Sequence, residues 1–107
     1  MSNIDIFTAL DNALAQRRQA DPAKSYTASL YAGGTSAINT KITEEAGEVV
    51  EAALEDDDAH LVHEVADLWF HCMVLLQSRG LDVKAVEDEL ARRFGISGIQ
   101  EKAARSR

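Results

Sequence analysis

The chain has 107 residues, 46% of them hydrophobic and 27% charged, with one Pro, six Gly and one Cys, a composition that fits a single globular domain spanning 1–107 and argues against disorder. Its formal charge is −7, from 18 acids against 11 Lys plus Arg, so it lacks the cation excess that a nucleic-acid-binding protein needs to displace phosphate counterions. The acids are concentrated. Residues 44–67 hold ten of them and no Lys or Arg, while the other 83 residues carry eight acids and eleven bases, a net +3.

The first predicted helix covers about 4–18, with Ile6, Phe7, Leu10 and Leu14 on one side and Ser2 or Asn3 as its cap. The N-terminus has neither a basic segment nor a long apolar run, so no signal peptide is expected. Residues 19–34, with Pro22 and the Gly33-Gly34 pair, read as a long loop containing a short helical turn near Tyr26 and Tyr31; loops of that length in a small domain are often functional. The second helix is expected over about 36–54, with Ile42, Ala46, Val49, Val50 and Ala53 on its inner face. The run Glu55-Asp56-Asp57-Asp58 ends it, as solvated charge, and Asp57 or Asp58 suits the next N-cap.

The third helix, about 59–78, is stopped by Gly80. It is apolar around nearly its whole circumference and so should be buried on all sides. Its most apolar stretch, 65–76, is broken by Asp67 and His71 and is too short to span a bilayer, so a soluble cytoplasmic protein is expected. The lone Cys72 has apolar neighbours, which favours an inert core thiol in a reducing compartment. The fourth helix, about 83–94, is capped by Asp82 with Val83, Val86 and Leu90 inward, and 95–107 form a short basic tail, expected to be flexible. The fold class is therefore all-α, a four-to-five-helix bundle completed by oligomerisation, because so short a chain cannot cover the third helix alone.

One polar strip crosses that helix: His60, His63, Glu64, Asp67 and His71. Glu64, Asp67 and His71 share a face at i, i+3 and i+7. Glu45 and Glu48 share a flank of the second helix with Lys41, and Glu44 is one turn before Glu48. In an antiparallel hairpin of the two helices these carboxylates converge. A cluster of four or five carboxylates is a hard-oxygen site for Mg²⁺ or Mn²⁺, and no Cys/His zinc pattern is present. The plain alternative for Glu44, Glu45 and Glu48 alone is a solvated acidic face, and for His71 a hydrogen-bonded core residue.

The order Glu44, Glu45, Glu48, then Glu64, Asp67, resembles the all-α, MazG-like nucleoside triphosphate pyrophosphohydrolases. Ser25-Tyr26-Thr27, Lys41, His71 and the closing run Arg93-Phe-Gly-Ile-Ser-Gly98 with Glu101-Lys102 narrow the resemblance to the phosphoribosyl-ATP pyrophosphatase family of histidine biosynthesis. The resemblance implies Mg²⁺-dependent hydrolysis of the α–β phosphoanhydride of phosphoribosyl-ATP. Glu45, Glu48, Glu64 and Asp67 would be metal ligands, and Glu44 a fifth ligand or a water-orienting base. Lys41, Ser25, Tyr26 and Thr27, then Arg17, Lys24, His71, Arg93 and Lys102, would contact substrate, and a homodimer or higher homo-oligomer would frame the site. A house-cleaning (d)NTP pyrophosphohydrolase and a non-catalytic acidic metal-binding module are the rival expectations.

Overall fold

The computed structural model describes residues 5–94. They form four helices, α1 (Ile6–Gln16), α2 (Tyr26–Ala52), α3 (Asp58–Ser78) and α4 (Val83–Phe94), with a 3₁₀ turn at Arg17–Gln19 and no strand among the described residues. The tail beyond Phe94, with Lys102, lies outside them, as do Ser2 and Asn3.

α1 is capped by Asp5, whose Oδ1 accepts from the Phe7 and Thr8 amides at 3.1 and 3.2 Å, so the helix starts at Ile6. Leu14 is fully in the core, with Phe7 and Leu10 packed against it. Ile6, expected inward, is exposed.

α2 departs most from expectation, because much of the anticipated loop is helical. Ser25 Oγ accepts from the Ala28 amide at 3.1 Å as N-cap, and Ala28 and Leu30 bury an apolar face behind it. The Tyr31 hydroxyl donates to the Leu14 carbonyl at 2.8 Å, fastening this arm to α1. The glycine pair is a kink inside the helix. Gly34 sits at φ 79°, ψ −174°, a conformation essentially reserved for glycine, and a Cβ on Gly33 would lie 2.7 Å from Ala37 Cβ.

Beyond the kink the inner stripe of α2 is Ile38, Ile42, Glu45, Val49 and Ala52, spaced at i, i+4, i+7, i+11 and i+14. The expected face is thus corrected: Val50, Ala46 and Ala53 are exposed. A carboxylate, Glu45, stands in the middle of the buried stripe, and a face drawn from apolar residues alone is rotated away from it.

α2 and α3 pack as an antiparallel hairpin across the turn 53–57. Asp57 caps α3 by accepting from the His60 amide at 3.1 Å. Ile38, Leu30, Leu14, Met73 and Val74 form the core. α3 is not covered all round, since Val62 and Trp69 remain 67% and 53% exposed.

Asp82 Oδ1 accepts from the Ala85 amide, capping the start of α4. Buried Asp11 joins three helices: Oδ1 accepts from Gln77 Nε2 at 3.0 Å and Oδ2 from the Val83 amide at 2.7 Å. Val83, Val86 and Leu90 face a groove shared with Phe7, Trp69, Met73 and Leu76; Val83 is half-buried, while Val86 and Leu90 stay exposed. No described helix is long and apolar enough to cross a membrane.

Candidate metal centre

The hairpin places the two acidic strips against each other. From α2, Glu45 is only 7% exposed. From α3, the Glu64 side chain is 12% exposed. Glu45 Oε1 and Glu64 Oε1 are both buried with no hydrogen-bond partner. Glu45 Oε1 does touch His71 Nδ1, but that nitrogen is directed to the Asp67 carbonyl at 3.0 Å. A buried carboxylate oxygen without a donor is costly unless a cation meets it. Two such oxygens on facing helices are what a hard divalent cation would satisfy.

Glu48 lies one turn beyond Glu45 and is raised above the ordinary carboxyl range. The Glu64 charge is the main cause, followed by desolvation, the Glu45 charge and a side-chain hydrogen bond with Glu64, with Lys41 opposing. The like charges are thus crowded before any cation is added. Asp67 follows Glu64 on the same face, with Oδ2 3.3 Å from His63 Nε2. Ligating atoms of His63, Glu64 and Asp67 all lie within 4.8 Å of one another. His63 was not among the expected ligands. Its spacing of four residues from Asp67 is the signal in the sequence, and its side chain is exposed.

Tyr26 meets the cluster from the first turn of α2. Its hydroxyl is 2.8 Å from His71 Nε2. Partial burial raises the phenol, the Lys41 charge lowers it, and Glu45, Glu44 and Asp67 raise it further. Tyr26 is therefore joined to the carboxylates through His71. Lys41 pairs with exposed Glu44 at 3.3 Å, and that contact raises its ammonium. Glu44 accordingly sits at the rim with Lys41, apart from the buried pair. A hollow on the outer face of α2, lined by Thr35, Ser36, Asn39, Thr40 and Thr43, ends at Glu44. These hydroxyl and amide groups were not singled out in the sequence, although Ser36, Asn39/Thr40 and Thr43 recur at helical spacing.

The remaining expected substrate residues are dispersed. Ser25 is buried as the α2 cap, and Thr27 is half-buried beside Tyr26. Arg17 and Lys24 are exposed before α2. Arg93 Nε donates to Glu89 Oε2 at 2.7 Å on α4. Burial pushes the Cys72 thiol up, consistent with an inert thiol.

A family model described as phosphoribosyl-ATP pyrophosphohydrolase matches residues 7–94. The phosphoribosyl-ATP pyrophosphatase of Neisseria gonorrhoeae is 50% identical over 101 residues, covering 94% of each chain. That of Azoarcus sp. is 50% identical over 105 residues, covering 98% of each. That of Methylococcus capsulatus is 51% identical over 102 residues, covering 95% of this chain and 97% of the relative.

Proposed function

Because the chain belongs to the phosphoribosyl-ATP pyrophosphohydrolase family, we propose that it hydrolyses phosphoribosyl-ATP to phosphoribosyl-AMP and pyrophosphate, the second step of histidine biosynthesis. Water supplies the oxygen that replaces the bond between the α and β phosphates. The observation that carries the reading is the pair of buried oxygens that accept no hydrogen bond, Glu45 Oε1 and Glu64 Oε1, one from each helix of the hairpin.

The donor set is hard oxygen and fits Mg²⁺, with Mn²⁺ as a close substitute. Glu45, Glu48, Glu64 and Asp67 would hold it, with Glu44 or His63 in reach of the rim. When bound, such a cation neutralises phosphate charge and lowers the pKa of bound water. The chain's own residues do the rest. Lys41 offers an ammonium for phosphate oxygens at the rim. Tyr26 and His71 fix the Glu45 end of the cleft, and Thr27 presents a hydroxyl beside them. The hollow from Thr35 to Thr43 suits the ribose hydroxyls that a phosphoribosyl-nucleotide carries in number. Ser25, Arg17, Lys24, Arg93 and Lys102 complete the set assigned to substrate, the cations acting in the same chain or across subunits.

The exposed Val62 and Trp69 of α3, with Val50 of α2 and Leu54 just after it, support a homodimer in which a second copy covers them, and a biosynthetic role places the proposed enzyme in the cytoplasm. Light scattering during gel filtration gives the subunit count. The reaction is tested by pyrophosphate release with Mg²⁺ over phosphoribosyl-ATP, ATP, dUTP and dCTP. Release with phosphoribosyl-ATP above all others is expected. Preference for dUTP or dCTP would replace the substrate assignment, and no release from any would overturn the enzymatic reading.

A further inference from the structure

One acid of the turn between α2 and α3 is the outer end of a bonded chain that reaches the carboxylate cleft. Glu55 Oε1 is 2.7 Å from His60 Nδ1, and His60 Nε2 is 3.0 Å from Glu64 Oε2. Carboxylate oxygens only accept, so the contact with Glu64 Oε2 is made by an Nε2–H donor, and Glu55 holds the opposite edge of the ring. Glu55 stays exposed, as expected of the acidic turn, and is ion-paired as well. The His60 contact divides the two oxygens of Glu64 between different tasks. Oε2 is occupied by His60, while Oε1 is buried and without a partner.

We infer that His60, anchored by Glu55, is a positioning residue for Glu64: it takes up Oε2 and leaves Oε1 directed into the cleft for a divalent cation. The inference rests on the reading of Glu64 as a metal ligand. A glutamate has three rotatable bonds, and a ligand that must be ordered at the moment of binding loses affinity relative to one already fixed. A donor on the non-ligating side of a metal ligand fixes its orientation. The His60 side chain is 40% exposed, so its replacement leaves the core untouched. The rival account has the opposite sign. If His60 merely competed with the cation for Glu64, its removal would tighten metal binding.

The test is Mn²⁺ binding to the full chain without substrate, followed by electron paramagnetic resonance of free Mn²⁺, with circular dichroism reporting helicity. His60→Ala is expected to weaken Mn²⁺ binding about tenfold, the lower end of the range for groups that orient metal ligands, with helicity unchanged. His60→Gln, which keeps one N–H donor for Glu64, should recover much of the loss. Glu55→Ala, which removes the anchor but not the donor, should weaken binding by a smaller factor. An unchanged or tighter dissociation constant in His60→Ala overturns the proposal. So does a His60→Gln variant no better than His60→Ala. Glu64→Ala separates the two levels of the reading. If it abolishes binding while His60→Ala does not weaken it, only the positioning role fails. If the parent protein binds no Mn²⁺, the metal centre fails and the positioning role with it.

Discussion

Glu48 of α2 and Glu64 of α3 oppose each other across the hairpin as like charges, and the Glu64 carboxylate is the main cause of the raised Glu48 pKa. Such crowding is unfavourable in the empty protein and is relieved by a cation. Glu64→Gln therefore lowers the Glu48 pKa toward its ordinary value and raises Tm measured without metal. The same substitution lowers pyrophosphate release by more than about a hundredfold, the upper end of what removing a merely orienting group costs. A fall in Tm without metal would show that the two carboxylates do not strain the hairpin.

Asp11 is the buried knot between α1, α3 and the start of α4. Asp11→Ala leaves the Gln77 amide and the Val83 N–H without their acceptor, at a cost of about 1–3 kcal/mol. Urea denaturation gives the value. Asp11→Asn, which keeps one carbonyl acceptor, should lose less, and equal losses would point to packing in place of hydrogen bonding.

Two glycines of α2 respond to alanine with opposite signs. Gly34→Ala forces a side chain into φ 79°, ψ −174° and costs about 1–3 kcal/mol. Gly47 is helical, and a Cβ there meets nothing within 4 Å, so Gly47→Ala stabilises by about 0.5–1 kcal/mol. Differential scanning calorimetry on both variants checks the pair; shifts of the same sign would contradict the kink.

On α4, hydrogen bonds from Arg92 and Arg93 lower the Glu89 pKa from 4.5 to about 2. A carboxyl whose folded pKa is depressed contributes stability that is complete above its unfolded pKa. That contribution is lost as the pH falls from about 4.5 toward about 2. Glu89→Gln should flatten the acid limb of the Tm–pH profile in that window and leave the profile above pH 6 parallel to the parent's. An unchanged acid limb would show that these exposed ion pairs carry no linkage.

The strip on α3 was legible because polar residues on an otherwise apolar helix stand out at i, i+3 and i+7. Its counterpart on α2 was legible as a carboxylate motif but not as a face. Glu45 occupies a core position, and hydropathy assigns a glutamate to the surface. The segment 19–34 hid a helix because Pro22 and two glycines mimic loop composition, while the Ser25 cap and the buried Ala28 and Leu30 outweigh them. Asp11 has partners far away in the chain, Gln77 and Val83, so no local pattern marked it, and Glu55 meets His60 across the turn, a spacing that no helix periodicity pairs.

The hairpin also decides what the cleft depends on. Glu45, Glu48, Glu64 and Asp67 come from consecutive helices joined by a five-residue turn, and none of the four belongs to α1 or α4. A divalent cation held by them would bridge α2 and α3 in the folded chain only, and so would add to stability by mass action as its concentration rises.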